Sequence, residues 1–561
     1  MTSATGDTRE RLSSTYDFVI VGSGFGGSVS AMRLTEAGYS VLVLERGKRY
    51  GDEDFARTNW NMRRYLWAPA LRCFGILQIS PFRDVWVLHG AGVGGGSLGY
   101  ANVLMEPSDA LFDAPAWRHL ADWKAVLAPH FATARRMLGV TPNPREWPAD
   151  RVLRSIAEEM AMGHTFAPTT VGVFFGEPAR EGEEVPDPYF GGAGPARRAC
   201  QHCGACMIGC RYNAKNTLPK NYLYFAERGG AVVQPECEVR DIRPLSPEQA
   251  DGARYDVVIR SSTRIVRGHE RRVRARNVIV AAGTLGTMRL LFRCRDVTRS
   301  LSAISPRLGD SVRTNSEAIL GSISRDRSVD YSKGIAITSI MNADAVTTIE
   351  PVRYPAGSSL MRLLAGPLVE GSGVGQRLWR SLLHILGRPG DFLRTYVVPR
   401  WAERSTIVLV MQTIDNRIRM RLGRSWLTGF RRRLVSAADA ESEPRGSLDV
   451  GRRVAQAFAD RTNGILSGSI NELLFGTPLT AHILGGCPMG RDASEGVVDL
   501  DCAVHGYEGL FVVDGSIVPA NPGVNPSLTI TALAEYAMTR VPARAGIVAG
   551  SGLTSAFKTK E

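Results

Sequence analysis

The stretch from Tyr16 to Glu45 constrains the fold of this chain more than any other part of the sequence. An apolar run from Phe18 to Val21 leads into a G-x-G-x-x-G pattern at residues 22–27, and apolar residues at helical spacing follow it. A second apolar run then ends at Glu45. A strand, glycine turn, helix and strand in this order predict a dinucleotide-binding unit, whose helix N-terminus receives a pyrophosphate.

The residues of this unit have separate physical tasks. Gly22 permits the tight turn out of the strand, Gly24 lets a pyrophosphate approach the backbone, and Gly27 lets the helix pack closely on the sheet. Glu45 can accept hydrogen bonds from both ribose hydroxyls, and its charge repels a 2′-phosphate, which argues against NADP. The motif by itself does not distinguish NAD from FAD.

Length and charge restrict the classes of protein that fit. A chain of 561 residues predicts two or three domains, and no apolar run reaches the roughly 18 residues that a membrane span needs. The first residues are polar and show no secretory signal, so we expect a cytoplasmic protein with reduced thiols. The net charge of +13 indicates either an ordinary basic surface or peripheral contact with anionic lipid. No nucleic acid is expected as a partner, since no reading motif accompanies the charge.

Two further stretches make a family resemblance specific. A second glycine-rich loop, GAGVGGGS, occupies residues 90–97 after a short apolar run, so its backbone approaches another group closely. Near the C-terminus the chain reads PLTAHILGGCPMG from residue 478 and NPSLTITALAE from residue 525. Together with the first motif, these stretches resemble the glucose–methanol–choline (GMC) flavoprotein oxidoreductases at both ends and in the middle of the chain.

The resemblance implies an α/β fold with a Rossmann-like FAD-binding domain, which is discontinuous and built on a parallel sheet. It also implies a substrate domain with an antiparallel sheet and helices. FAD is expected to be non-covalent, because no histidine follows the second glycine loop. The expected segments are FAD-binding parts at residues 15–110, 196–300 and 476–545, a cap segment at 111–195 and a substrate domain at 301–475.

The resemblance also carries over site residues. The catalytic pair is His482 and Asn525, which match the positions that lie against the reactive face of the flavin. An imidazole can accept a hydroxyl proton, whereas an amide can orient the substrate oxygen without titrating. His505 is the weaker alternative to His482. The implied FAD-binding residues are Gly22, Gly24, Phe25, Gly26, Gly27, Glu45, Arg46, Gly92, Gly95, Gly96, Ser97, Asn102, Val239, Ala282, Gly283, Asp514, Gly515, Asn525 and Pro526.

Four clustered cysteines leave two alternatives open. Cys200, Cys203, Cys206 and Cys210 follow the spacing of a ferredoxin loop, but Arg211 stands where ferredoxins have proline. The cluster therefore predicts either a [4Fe–4S] centre or reduced structural thiols.

Within the family, the chain is most similar to the cholesterol oxidase branch. The segment IEPVRYPAG at residues 349–357 is part of that likeness, but the branch's isomerisation glutamate is replaced by Ser358 and Ser359. Glu350 lies nearby without matching it. We expect FAD-dependent oxidation of a sterol or another lipid alcohol, with the electrons passed to O2 or to another acceptor. The alternatives are a dehydrogenase that uses another acceptor, directly or through a cluster, and a non-redox flavoprotein such as a lyase or photoenzyme.

Overall fold

The architecture comes from a computed structural model, which describes residues 14–246, 248–249, 251–264, 269–368, 373–425, 428–439, 442 and 449–545. Two sheets dominate it, and each is assembled from distant parts of the chain.

The first sheet is the predicted parallel sheet with an antiparallel extension. Its strands are β1 (Thr15–Val21), β2 (Val41–Leu44), β6 (Val232–Gln234), β7 (Cys237–Pro244), β8 (Tyr255–Ser261), β9 (Arg271–Val280) and β19 (Leu510–Val512). They lie in the order β6-β2-β1-β9-β8-β7, and β19 pairs with the end of β9. The strands β6, β2, β1, β9 and β19 run parallel to one another. The strands β8 and β7 extend this sheet in antiparallel pairing. Because β1 and β2 are buried almost throughout, their continuous apolar runs are those of a sheet covered on both faces.

Helices cover this sheet and join the two ends of the chain. They are α1 (Phe25–Glu36), α2 (Trp123–Met137), α4 (Tyr222–Arg228), α5 (Thr284–Asp296) and α10 (Ser527–Thr539). The last helix, α10, packs against both α1 and α2, and α4 packs against α1. The C-terminal segment is therefore part of the same core as the first glycine motif.

The second sheet confirms the antiparallel substrate domain. Its strands are β5 (Ala167–Pro168), β10 (Ala318–Ser324), β11 (Ser339–Asn342), β12 (Thr347–Val352), β13 (Ala365–Pro367), β14 (Ser405–Gln412) and β17 (Gly464–Ser469), in the order β13-β17-β10-β14-β12-β11-β5. Two helices, α3 (Pro148–Glu159) and α8 (Asp449–Arg461), pack on one face of it. The opposite face turns towards the first sheet.

Smaller elements complete the structure. The strands β3 (Leu77–Pro81) and β4 (Trp86–Gly90) form a hairpin, and β18 (Leu479–Thr480) runs parallel to β4. A separate hairpin joins β15 (Ile418–Gly423) and β16 (Arg433–Ala438). The helices α6 (Val374–Gly387), α7 (Pro389–Tyr396) and α9 (Ile470–Phe475) lie at the β13 edge of the second sheet. Two-residue ladders join Trp67–Ala68 to Cys73–Phe74, Thr141–Pro142 to Thr170–Val171, and Glu184–Val185 to Arg197–Arg198. One-turn helices lie at Met62–Tyr65, Asp109–Phe112 and Trp401–Arg404.

None of the helices that the structure describes is long and apolar enough to cross a bilayer. The expected domain boundaries remain predictions, although the two sheets draw on the segments assigned to each domain.

Candidate active site

A cavity of about 440 Å³ lies between the two sheets. This volume is in the range of pockets that hold a cofactor or small ligand. Residues from the first, middle and last parts of the chain line it together. The lining includes Gly22, Gly24, Phe25, Gly26, Glu45, Arg46, Gly95, Gly96, Val239, Ala282, Gly283, His482, Asp514, Gly515, Asn525 and Pro526.

The two glycine loops form one end of this cavity. Gly22 has a φ of +101°, and a side chain there would meet the backbone of Ala281, so this turn requires glycine. A Cβ on Gly24 would point into open space, which leaves the N-terminus of α1 accessible from the cavity. A Cβ on Gly95 would lie 2.6 Å from the Cα of Gly24, so the two loops pack backbone to backbone. The two loops therefore form a concave cradle at the N-terminus of α1, whose backbone N–H groups suit a pyrophosphate.

Glu45 both shapes and faces this cradle. Its Oε2 accepts hydrogen bonds from the backbone N and the Oγ of Ser23 at 3.1 and 2.7 Å, and its Oε1 accepts one from Gly47 N at 2.7 Å. The carboxylate thus holds the first glycine turn in place while it lines the cavity. A carboxylate oxygen can accept more than one hydrogen bond, so capacity for a ribose hydroxyl remains.

Four of the predicted FAD-binding residues are not in the cavity lining, so direct contact is not supported for them. Gly27 packs against Gly22, as the helix–sheet packing task requires. The side of Gly92 that would carry a Cβ faces Leu98 and Tyr50.

The other two have their polar groups directed elsewhere. Ser97 Oγ donates to Gly94 O at 2.7 Å and accepts from Leu218 N at 3.1 Å, so the hydroxyl shapes the loop instead. Asn102 is buried and lines a second, smaller cavity.

His482 is held by a buried glutamate that the sequence did not suggest. The residue follows β18, and its Nδ1 lies 3.1 Å from Oε2 of Glu317. The same Oε2 accepts hydrogen bonds from Thr480 Oγ1 at 2.6 Å and from Ala481 N at 3.0 Å. The negative charge of Glu317 therefore favours the neutral tautomer with its proton on Nδ1, in which Nε2 is the nitrogen that can accept a proton.

The Nε2 atom of His482 faces Asn525, as the resemblance implies for the catalytic pair. It lies 3.4 Å from Nδ2 of Asn525, whose Oδ1 is buried and has no hydrogen-bond partner among the described residues. Asn525 does not cap the last helix, because α10 begins at Ser527 with Pro526 in the cap position. The amide is instead available to the cavity. His505 makes a separate contact, 3.2 Å from Nε2 to Gly490 O, and does not line the cavity.

The acidic residue beside His482 changes the pKa of its imidazole. Burial lowers the pKa of His482, but the negative charge of the Glu317 carboxylate beside it raises the pKa above its ordinary value overall. The imidazole is therefore a stronger base than a free histidine.

A second acid, Glu350 on β12, lies beside the pair. It is fully buried and neighbours His482 and Asn525, yet neither carboxyl oxygen makes a hydrogen bond of good geometry within the described residues. Burial raises the pKa of Glu350 to about 8, so the group is largely a neutral acid at pH 7. Ser358 and Ser359 are buried outside the cavity lining and supply no acid of their own.

The far end of the cavity is apolar. Side chains from the second sheet and from the loops beside it enclose it. They include Tyr65, Ile76, Ile319, Ile337, Tyr354, Met361, Leu364, Trp401, Ile407 and Leu409. This end suits a large hydrophobic substrate more than a sugar.

The cysteine cluster surrounds the smaller cavity. Cys200, Cys203, Cys206 and Cys210 all line a space of about 20 Å³, which is room for little more than one water molecule. Burial raises the pKa of the first three thiols, which favours their neutral form. Across the described part of the chain, no group of three or more histidine, cysteine or acidic side chains is arranged to hold a metal ion. The iron–sulfur alternative thus gains no support, and the arrangement suits reduced thiols.

Comparisons with known proteins bear on the family and the fold of this chain. Family models described as "GMC oxidoreductase" match residues 196–294 and 439–534, and a "NAD(P)-binding Rossmann-like domain" model matches residues 20–53. A cholesterol oxidase of Mycobacterium tuberculosis is 46% identical over 94% of this chain and 91% of its own length. A cholesterol oxidase of Acinetobacter baumannii is 45% identical over 94% of this chain and 95% of its own. The crystal structure of pyridoxine 4-oxidase from Mesorbium loti shares the fold, with a TM-score of 0.57 at 16% identity over 93% of this chain and 98% of that one.

Proposed function

This chain belongs to the GMC oxidoreductase family, and from that premise we propose that it oxidises the 3β-hydroxyl group of a sterol to a ketone. Membership makes it an FAD-dependent alcohol oxidoreductase. The single observation that carries the sterol assignment is the 45–46% identity to cholesterol oxidases over nearly the whole chain. The apolar end of the cavity is consistent with a sterol ring system.

The lining of the cavity fits FAD. Gly24 leaves the N-terminus of α1 open to the cavity, and the backbone N–H groups at that helix end would hold a pyrophosphate. Glu45 would bind the ribose, and Val239 would lie near the adenine. The N-terminus of α10 would offer its positive end to the flavin. When bound, FAD supplies the acceptor for the hydride that leaves the carbinol carbon.

The chain's own residues supply proton handling and orientation. We propose that Nε2 of His482 accepts the hydroxyl proton of the substrate, with Nδ1 anchored by Glu317. The Asn525 amide would donate to the substrate oxygen and fix the carbinol carbon near His482. The proposal is limited to oxidation, since Ser358 and Ser359 stand where the cholesterol oxidase branch has its isomerisation glutamate.

Two further parts of the proposal concern partners. O2 is the proposed electron acceptor, in line with the oxidase activity named for the two relatives. Because sterols reside in bilayers, the proposal also includes peripheral contact with a membrane.

Anaerobic mixing of the flavin-loaded protein with a 3β-hydroxysteroid tests the oxidation directly. We expect bleaching of the flavin band with the sterol, and much weaker bleaching with short alcohols and sugars. His482→Ala should retain the flavin, but its rate of bleaching should fall by roughly 10²- to 10⁴-fold, because the proton acceptor is gone. His505→Ala is the matched control and should bleach like the wild type. A wild-type protein that no alcohol bleaches would instead indicate a non-redox flavoprotein.

A further inference from the structure

Helix α6 turns its apolar side outwards. Along the helix, Arg377 and His384 are half-buried and Ser381 is buried, so its polar side packs against the protein. The large apolar residues lie on the outer side, with Trp379 61% exposed and Leu386 68% exposed. The rest of that outer side consists of Val374, Leu378, Leu382 and Leu383. This is the reverse of a surface helix in a globular protein, whose apolar stripe faces the core.

Neighbouring elements extend the same apolar surface. On α7, which contacts α6, Phe392 and Leu393 are exposed, and Val397 follows at 62% exposure. The 3₁₀ turn Leu360–Leu364, which contacts α7, adds the exposed Leu363. An exposed patch of this extent is uncommon unless it binds something.

A segment distant in sequence joins this surface. Asn59 Oδ1 accepts a hydrogen bond from Leu360 N at 3.0 Å, and the guanidinium of Arg362 lies 5.4 Å from the centre of the Trp60 ring. Trp60 and Met62 are themselves exposed. We use the name apolar platform for the exposed apolar residues of these segments, which are Trp60, Met62, Leu363, Val374, Leu378, Trp379, Leu382, Leu383, Leu386, Phe392, Leu393 and Val397.

Positive charge accompanies the platform. Between residues 374 and 397 the sequence carries Arg377, Arg380, Arg388 and Arg394 against one acid, Asp391. Asp391 pairs with Arg325 at 2.7 Å and with Arg394 at 3.4 Å, so the arginines of residues 374–397 outnumber their acid by four to one. The exposed Arg63 and Arg64 stand beside Met62. Apolar side chains set among arginines are typical of helices that lie in the interface of an anionic bilayer.

The platform adjoins the substrate end of the cavity. Met361 and Leu364 line the cavity, while Leu363 between them points to the outside. The Tyr396 hydroxyl of α7 donates to the carbonyl of Ala365, another lining residue, at 2.6 Å.

We propose that the apolar platform docks on an anionic phospholipid bilayer and brings the mouth of the cavity against the lipid from which the sterol enters. The role in substrate delivery rests on the function proposed above, whereas docking itself can be tested without catalysis. Repulsion between arginines on facing copies disfavours self-association through this surface.

Vesicle binding of the flavin-loaded protein tests the docking. We expect sedimentation with phosphatidylcholine vesicles that contain phosphatidylglycerol, weaker binding to phosphatidylcholine alone, and weakening by salt. Leu383→Ser/Leu386→Ser should weaken binding at least about tenfold, because two apolar anchors are lost. The matched control is Val297→Ser/Phe430→Ser, which removes exposed apolar residues elsewhere and should bind like the wild type. Arg380→Glu should weaken binding to the anionic vesicles only, with Arg431→Glu as its control.

Activity assays separate this inference from the proposed function. The Leu383→Ser/Leu386→Ser variant should oxidise sterol in detergent micelles at the wild-type rate and sterol in vesicles at least about tenfold more slowly. No binding of the wild type to anionic vesicles, or unchanged binding of this variant, would overturn the docking. A dimer in sedimentation analysis that this variant abolishes, without vesicle binding, would also overturn it. Vesicle binding without sterol turnover in micelles would refute the proposed function and leave the docking standing.

Discussion

The Oε2 atom of Glu317 links the position of His482 to its basicity. It accepts hydrogen bonds from Thr480 and Ala481, so it is fixed before it meets the imidazole. A fixed negative charge 3.1 Å from Nδ1 orients the ring and raises its pKa. The histidine can then accept a proton at Nε2 without changing its position.

Replacing this charge should change both rate and pH dependence. In Glu317→Gln an acceptor remains but the carboxylate is lost, so we expect kcat to fall roughly tenfold to a hundredfold. The raised pKa means that wild-type activity, which needs the neutral imidazole, declines as pH falls through that pKa. Without the carboxylate the pKa drops, and the ascending limb of the pH profile should move to lower pH. Steady-state rates between about pH 5 and 9 measure this. A profile that keeps its wild-type position would refute the pairing.

Sequence patterns could predict His482 and Asn525 but not the acids around them. The catalytic pair lies within C-terminal stretches that carry the family's motifs, whereas Glu317 directly precedes β10 and Glu350 lies in β12, both in the second sheet's part of the chain. Their proximity depends on how that sheet packs on β18, and no local spacing encodes this packing. The one local signal was Glu350, which stands between the apolar residues Ile349 and Pro351, since buried acids are rare without a partner.

At the scale of elements, the two glycine loops act as one unit. The first loop is held by β1 and α1, and the second follows β4, yet Gly95 packs directly on Gly24. Sequence predicted each loop from its glycines. The sequence could not show that Gly96 faces the cavity whereas Gly92 does not, because the side of the backbone that each glycine presents to the cavity depends on tertiary packing.

The contact between the loops gives a test of cofactor binding. In Gly95→Ala the new methyl would lie 2.6 Å from Gly24 Cα, so one loop must move away from the other. We expect FAD affinity to fall at least about tenfold, because the N–H groups that hold the pyrophosphate lose their alignment. Titration of flavin-free protein with FAD measures the change. Gly375→Ala, where a methyl group meets nothing, should bind FAD normally. Normal affinity in Gly95→Ala would show that the cradle tolerates separation of the loops.

At the scale of the whole molecule, distant segments meet in a buried polar cluster. Arg33 of α1 donates from Nε and Nη2 to the two oxygens of Glu535 on α10, at 2.7 and 2.9 Å. The Tyr222 hydroxyl of α4 donates to the same carboxylate at 2.6 Å. This cluster ties together the three parts of the chain that form the cofactor end of the cavity. The resemblance implied the assembly of these segments, but not the residues that hold them together.

Glu535→Gln should therefore weaken the whole cofactor domain. The amide cannot accept from all three donors, and the largely buried Arg33 loses its principal counter-charge, although Glu36 remains at 2.7 Å. We expect the free energy of unfolding to fall by roughly 2–4 kcal/mol. Urea unfolding followed by both flavin release and circular dichroism should show the two signals shifting together, since the cluster spans segments that bind the cofactor. Glu508→Gln is the matched control, because Glu508 is 81% exposed and its pair with Arg254 contributes at most about 1 kcal/mol. If the two variants unfold at the same urea concentration, the cluster does not join the segments, and the cavity must be held by its apolar core alone.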